Sequence, residues 1–359
     1  MKRGPAERMG LDRISGLYLL ASFVLVFGVW KPHLFLTAST AHVVAEGQAV
    51  PAIVAIALLV PLVAGAFDLS VGASANLSAI VATVLQTHAH LSMWPAIAGA
   101  VCVSALIGVM NGFFVVRLGV SSFIATLGMA TVVGAVQAMV SGDVQPLSPT
   151  TGAWTTLAQR QVGGFQVVVI YLLVVAVVAW WMLERTPVGR YLYAAGGNAD
   201  AARLSGVRVG RWTWLSLIIS ATLSGVAGIL YGSLSGPSLT FGASLLLPAF
   251  AAVFLGSTQI HPGRYNVWGT LLAVYALATG VTGLQLVTGV QWLNDLFNGV
   301  ALLAAVSFAV WRQKRARKLA RSHVLASRRE AARRWVAGKN AAVESPQKAN
   351  ATAAASVEA

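Results

Sequence analysis

Few residues in this 359-residue chain have the types and spacing that covalent chemistry needs. A phosphate-binding loop wants spaced glycines ahead of Gly-Lys-Ser/Thr, but the one Gly-Lys pair, Gly338 and Lys339, runs into Asn340 with no such loop before it. No His-Glu-x-x-His or Gly-x-Ser-x-Gly occurs, and no apolar stretch holds paired carboxylates. His88 and His90 stand two apart, a spacing that suits neither one helix face nor a common zinc site. The single Cys102 excludes an intrachain disulfide and a cysteine metal cluster. The sequence therefore offers no catalytic residue set and no metal site, and any chemistry must come from scattered polar groups in an apolar chain.

Ionisable groups within or beside the apolar stretches are Glu46, Asp68, Arg117, Arg264 and Asp295. Each such group is a functional candidate, because a charge buried in lipid costs several kcal/mol. Asp68 and Asp295 fall near stretch ends, which argues against ion coupling through midplane carboxylates. Asp68 lies in GAFDLSVGASANLS, where Gly65 and Gly72 bracket Asp68 and Ser70. Either residue can cap the helix that follows, and a glycine-bracketed break is equally a place where irregular backbone lines a solute path. Asn76, Asn111, Thr126, Gln137, Thr270 and Asn298 are uncharged polar residues inside apolar stretches. They either bond a polyol or bridge neighbouring helices. The set Asp68, Ser70, Asn76, Asn111, Thr126, Gln137 and Asn298 is the candidate translocation path. Gly108 with Gly112, and Gly228 with Gly232, are close-packing pairs.

The most informative polar segment is residues 184–211, containing TPVGRYLYAAGGNADAARLSGVRVGR. Pro187, Gly189, Gly196 and Gly197 punctuate it as a loop, and Asn198 or Asp200 is placed to N-cap a short helix through Ala201, Ala202, Arg203 and Leu204 that stops at Gly206. A short capped helix with Arg203 beside Leu204 suits capture by another protein, and a solvated interhelical loop is the alternative reading.

The elements that position these residues follow from composition. With 57% hydrophobic and 10% charged residues and a mean hydropathy of +0.73, the chain is far from a soluble domain, where charge is about 25%. The fold expected is all-α, a polytopic transmembrane bundle of about ten spans. The spans run approximately Ser15–Trp30, Val43–Gly65, Ser70–Gln86, Trp94–Val116, Ser122–Val140, Phe165–Leu183, Trp212–Gly232, Leu245–Gly256, Val267–Leu284 and Leu293–Trp311. The stretch from Leu245 is short for a crossing.

Twenty-five Lys plus Arg against 11 Asp plus Glu give a net charge of +14. The excess flanks one set of span ends, which places both termini and the 184–211 segment in the cytoplasm and makes a nucleic-acid surface the poorer explanation. Trp30, Trp94, Trp180, Trp181, Trp212, Trp214, Trp268, Trp292 and Trp311 mark span ends as an aromatic belt would. Residues 1–14 then form a cytoplasmic N-terminus and 15–311 the transmembrane domain. Residues 312–359 form a basic, then Ala-rich disordered tail that either contacts anionic lipid or a partner, or is a solvated flank.

These motifs together resemble the ABC importer permeases of the ribose, xylose and arabinose class, and the resemblance covers nearly the whole chain. GAFDLSVG is similar to that family's Gly-x-Ile-Asp-Leu-Ser-Val-Gly signature, with Phe67 for isoleucine. Asn111 to Met129 resembles its Asn-Gly, Arg and Thr-Leu-Gly-Met block, and GRYLYAAGGNADAARLSGV its Gly-Arg-Tyr and Gly-Gly-Asn coupling loop. The chain departs from the family at Leu255 to Asn266 and at Val281 and Thr282.

The resemblance implies a multi-pass subunit of the bacterial inner membrane that passes a sugar delivered by an extracytoplasmic binding protein. It implies a second permease copy or paralogue and a cytoplasmic ABC ATPase docked on Gly189, Gly196, Gly197, Asn198, Asp200, Ala201, Ala202, Arg203, Leu204 and Gly206. It further implies that ATP and Mg sit on that ATPase and no cofactor sits on this chain. Read from the residues alone, an ion-coupled secondary transporter, and behind it a membrane enzyme using Asp68 or Asp295, remain the alternatives.

Overall fold

A computed structural model describes residues 15–307; the N-terminal 1–14 and the basic and Ala-rich tail fall outside the described residues. The described chain is almost entirely helical. In order, it runs α1 (Ser15–Trp30), α2 (Pro32–Phe35), α3 (Ala38–Gly47), α4 (Ala49–Val63), α5 (Val71–Thr87) and α6 (Met93–Gly112). A π-helical turn (Phe113–Arg117) leads to α7 (Ser122–Ser141) and α8 (Gly152–Gln159). A two-residue hairpin, β1 (Gln161–Val162) with β2 (Phe165–Gln166), precedes α9 (Val167–Arg185), α10 (Pro187–Gly197) and α11 (Ala199–Leu204). The long α12 (Val209–Ser235), then α13 (Phe241–Gly256), α14 (Val267–Thr288) and α15 (Trp292–Ser307) complete the described chain.

Among the described residues, six helical stretches are long and apolar enough to cross a membrane: Ala38–Val63, Met93–Arg117, Ser122–Ser141, Val167–Arg185, Val209–Ser235 and Val267–Thr288. Four more apolar helices, α1, α5, α13 and α15, are shorter. Burial separates their roles. In α4 every residue except Pro51 is buried, as expected of a helix that is apolar all round and surrounded by others. It sits in one apolar core with side chains of α9, α12, α13 and α14. By contrast α7 and α9 expose Ile124, Val132, Met139, Val174, Val178 and Trp181, the surface a lipid-facing helix presents.

Helices in lipid associate by close packing rather than by hydrophobic drive, so small residues mark the contacts. A Cβ on Gly108 would come within 2.6 Å of Ile218 Cα, and one on Gly228 would run into the Ala75 backbone. The two glycine pairs thus bring α6 and α5 against α12. Near the middle of the bundle α5 and α13 start face to face: a Cβ on Gly72 would strike the Gly242 carbonyl, and one on Gly242 the Gly72 carbonyl. The chain reaches α13 through residues 236–240, whose Leu239 carbonyl accepts hydrogen bonds from side chains of α5 and α7.

Candidate functional site

The 184–211 segment is not the loop its proline and glycines suggest. Pro187 occupies the first turn of α10, where its missing N–H costs nothing, and the helix runs on through Gly189, Gly196 and Gly197. Two of those glycines serve close approach instead of a turn. A Cβ on Gly189 would meet the Leu183 backbone, and one on Gly196 would meet Val63 O, with Gly65 N at 2.8 Å. Gly197 has open space around it.

The short helix is present. Asn198, not Asp200, caps it: Asn198 is extended and its side chain accepts from Ala201 N at 3.1 Å, starting α11. Gly206 ends it at a φ of +83°, a conformation that favours glycine. Ala202 packs with Ala195 and Val209, which pins α11 by its alanine face. Asp200 and Arg203 pair at 3.1 Å on the opposite, exposed face, and Leu204 is 91% exposed.

The segment also grips the bundle in three places, through contacts the sequence did not announce. Gly196 abuts the turn after α4, where Gly65 has a φ of +80°. The Tyr193 hydroxyl donates to Tyr265 O at 2.6 Å, and Arg264 lies over the Tyr193 ring at 3.7 Å while reaching Glu184 at 3.8 Å. Tyr191 stacks on Trp212 at the start of α12, ring centroids 4.9 Å apart. Burial raises the Tyr193 phenol above its ordinary pKa, with Arg264 acting in the opposite direction and Glu184 reinforcing the rise. Gly196, Gly65, Trp212 and Arg264 stood out in the sequence for other reasons, whereas Tyr191, Tyr193, Glu184 and Tyr265 did not.

The turn that Gly196 touches leads directly to Asp68, which is fully buried. One hydrogen-bonded chain runs through it: Asn111 Nδ2 donates to Ser70 Oγ at 2.8 Å, and Ser70 Oγ donates to Asp68 Oδ1 at 2.6 Å. The Ser70 amide reaches the same carboxylate oxygen at 3.0 Å. This overturns the expectation that Asp68 or Ser70 caps α5. The Ser70 hydroxyl is taken by Asp68 and Asn111, and the Asp68 carboxylate stops at the Ser70 amide ahead of the helix. Ser220 of α12 lies close enough to act on the carboxylate, yet neither it nor Asp68 Oδ2 makes a hydrogen bond of standard geometry. From α7, Thr126 accepts from Leu69 N at 2.9 Å and Ser122 from Phe67 N at 3.0 Å, which fixes the turn.

A second cluster lies where α5 and α13 meet. Asn76 donates to Leu239 O at 2.9 Å and accepts from Gly242 N at 2.7 Å, while Gln137 donates to the same Leu239 carbonyl at 3.0 Å. Thus Asp68, Ser70, Asn111 and Thr126 form one group, and Asn76 and Gln137 another. Asn298 joins neither. With Gln48 it supplies polar groups to a cavity of about 170 Å³ walled by apolar side chains of α4, α13 and α14. Thr270 bonds the Asn266 carbonyl of its own helix start, Asp295 is exposed on α15, and Glu46 accepts from Gln166 N at 3.1 Å. His88 and His90 are exposed.

Comparison with known proteins bears on this arrangement. Residues 48–306 match the family model described as branched-chain amino acid transport system / permease component. The chain is 30% identical to the ribose import permease protein of Haemophilus influenzae over 262 residues, covering 72% of this chain and 80% of that protein. It is 26% identical to the D-allose transport system permease protein of Escherichia coli, covering 82% and 91%. It is 29% identical to the autoinducer 2 import system permease protein of Yersinia pseudotuberculosis, covering 80% and 88%.

Proposed function

The chain belongs to the family of branched-chain amino acid transport system permease components, and we propose that within it this chain passes a sugar-like, polyhydroxylated solute across the membrane. It is a multi-pass membrane permease of the bacterial ABC importer class, a transport subunit whose ATP hydrolysis belongs to a separate ATPase. The solute class comes from the ribose and allose permeases it is similar to, and it suits a polar, sparsely charged interior.

In the proposed topology the six long helices and α1, α5, α13 and α15 make about ten crossings with both termini cytoplasmic. The Arg-rich ends at Arg117, 184–211 and Arg264 support that orientation. A second permease, identical or paralogous, completes the pathway, an extracytoplasmic binding protein supplies the solute, and ATP and Mg sit on the ATPase. The observation that carries the docking role is α11: capped by Asn198, pinned by Ala202, and presenting Asp200, Arg203 and Leu204 outward. ATP-driven closure of the partner subunits pushes on α11, and α10 passes the push to the Gly65 turn, the Arg264 loop and α12, tilting the bundle between two accesses. The solute then moves past Asp68, Ser70, Asn76, Asn111, Thr126, Gln137 and Asn298.

The test is a mild-detergent pull-down of the tagged chain from its native membrane, followed by reconstituted uptake of pentoses, hexoses and branched-chain amino acids. Capture of an ATPase, and sugar uptake that needs ATP and survives an ionophore, are the expected results. Uptake that collapses with the ionophore while ATP remains identifies an ion-coupled transporter instead. Uptake confined to branched-chain amino acids overturns the sugar.

A further inference from the structure

We propose that the groove between the end of α6 and the start of α12 is a binding site for one anionic phospholipid. The groove has a volume of about 890 Å³ and an arginine rim. Arg117 comes from the π-helical turn, Arg203 from α11, and Arg208 and Arg211 from the segment entering α12. Arg203 is tied to Asp200, but Arg117, Arg208 and Arg211 are exposed and none takes part in an ion pair among the described residues. Among the described residues no carboxylate lines the groove. Three unpaired guanidiniums converging on one opening are a phosphate-shaped demand.

Below the rim the lining changes character. Val109, Leu215 and Ile218 form the lower wall, and the Trp214 indole is held there by its donation to Val109 O at 3.1 Å. Val109 lies eight residues from Arg117 and Ile218 seven from Arg211, so at 1.5 Å per residue the apolar wall extends about 10 Å from the charges. The rim coincides with the ends of two membrane-crossing stretches, Met93–Arg117 and Val209–Ser235. The groove is therefore charged at the level of the headgroups and apolar at the level of the acyl chains. A free phosphate leaves the lower wall empty, and an acidic protein surface cannot descend into hydrocarbon. An anionic lipid fills both halves, and basic pockets between membrane helices bind such headgroups by this chemistry.

Native mass spectrometry of the full chain, titrated with phosphatidylglycerol or phosphatidylethanolamine, tests the site. Phosphatidylglycerol should be retained at one molecule per chain and phosphatidylethanolamine far less. Each arginine near an anionic lipid counts for about fivefold in affinity, so Arg117→Gln, Arg208→Gln and Arg211→Gln together should weaken retention on the order of a hundredfold. Should the triple variant fail to insert, Arg211→Gln alone carries the charge test at about fivefold. Ile218→Trp, which blocks the lower wall and leaves every arginine in place, should also release the lipid. Glycerol 3-phosphate, with the charge but no acyl chain, should not displace it. Equal retention of the two lipids, unchanged retention in both the arginine and Ile218→Trp variants, or displacement by glycerol 3-phosphate each overturns the site. Loss of ATPase capture in the arginine variants with lipid retention intact would make the groove a protein-docking face.

Discussion

Adjacent glycines in α10 should respond oppositely to the same substitution. In Gly196→Ala the new Cβ would stand 2.8 Å from Gly65 N and 3.0 Å from Ala64 C, and nearer still to Val63 O. All three are backbone atoms, so no side chain can swing aside. Restoring ordinary contact means parting α10 from the turn after α4 by about 1 Å, and overpacking of that kind costs about 1–3 kcal/mol. In Gly197→Ala the Cβ meets nothing within 4 Å. That residue is helical, so the substitution should stabilise by about 0.4–1 kcal/mol, chiefly through the unfolded chain. Thermal unfolding in detergent should separate the two variants in opposite directions from the parent. ATP-driven uptake should fall in Gly196→Ala, because the same contact links α10 to the turn that carries Asp68, and should hold in Gly197→Ala. Equal melting temperatures for the two variants would refute the reasoning, since only the backbone contact distinguishes them.

Further outcomes follow from single hydrogen bonds. Ser70→Ala removes the middle of the chain from Asn111 to Asp68 and strands the buried Asn111 amide, while Asp68 Oδ1 keeps the backbone amide of residue 70, so it should destabilise by about 1–3 kcal/mol, whereas Ser220→Ala, which breaks no standard hydrogen bond, should cost less; thermal unfolding ranks them. Asn76→Ala loses both the bond to Leu239 O and the Gly242 N–H, so it should cost more than Gln137→Ala, which loses one bond of about 1 kcal/mol. Tyr193→Phe gives up the hydroxyl bond to Tyr265 O but keeps the ring under Arg264, and about 1 kcal/mol of stability should go with it. Its pH dependence has a definite sign. The folded phenol has the higher pKa, so its contribution is full below the unfolded value near 10 and is lost as pH rises through the folded one. Unfolding followed above pH 10 should show a shallower alkaline decline in Tyr193→Phe than in the parent. Gly197→Trp and Arg203→Glu should insert normally yet capture less ATPase in a pull-down; normal capture by both would remove α11 from the docking role.

Much of this was legible because it depends on neighbours in sequence. Six apolar stretches long enough to cross lipid, the short helix that stops at Gly206 and the small-residue pairs at Gly108 and Gly228 all reflect local geometry and appear where the pattern puts them, with Asn198 rather than Asp200 taking the cap. The glycines of α10 were misread because the same residue serves two ends. An exposed glycine breaks a helix, but at a contact between helices it admits a neighbouring backbone, and only the partner at Gly65 tells which. The hub at Leu239 was invisible for a different reason. Its functional atom is a backbone carbonyl, which every residue has, so nothing in the side-chain pattern marks it.

The separation of the polar residues into two clusters carries the mechanism further than their inventory does. Asp68 Oδ1, Ser70 Oγ and Asn111 Nδ2 are used on one another, Asp68 Oδ2 and Asn111 Oδ1 are buried without a hydrogen bond of standard geometry, and Asn76 uses both ends of its amide on the backbone around α13. All four residues are buried, so a path lined by them must open by rearrangement before a solute can reach them. The structure supplies the place where it can. Helices α5 and α13 are both short, and both begin where their backbones touch at Gly72 and Gly242. Broken helices with apposed starts are the arrangement in which irregular backbone is tolerated at membrane depth, provided it is buried in protein or lines a cavity. Gly196 presses on the turn just ahead of α5, so a push on α11 reaches this break through a single turn of chain. On the proposed path, the side chains that hold the break closed are then the ones a passing solute would have to replace.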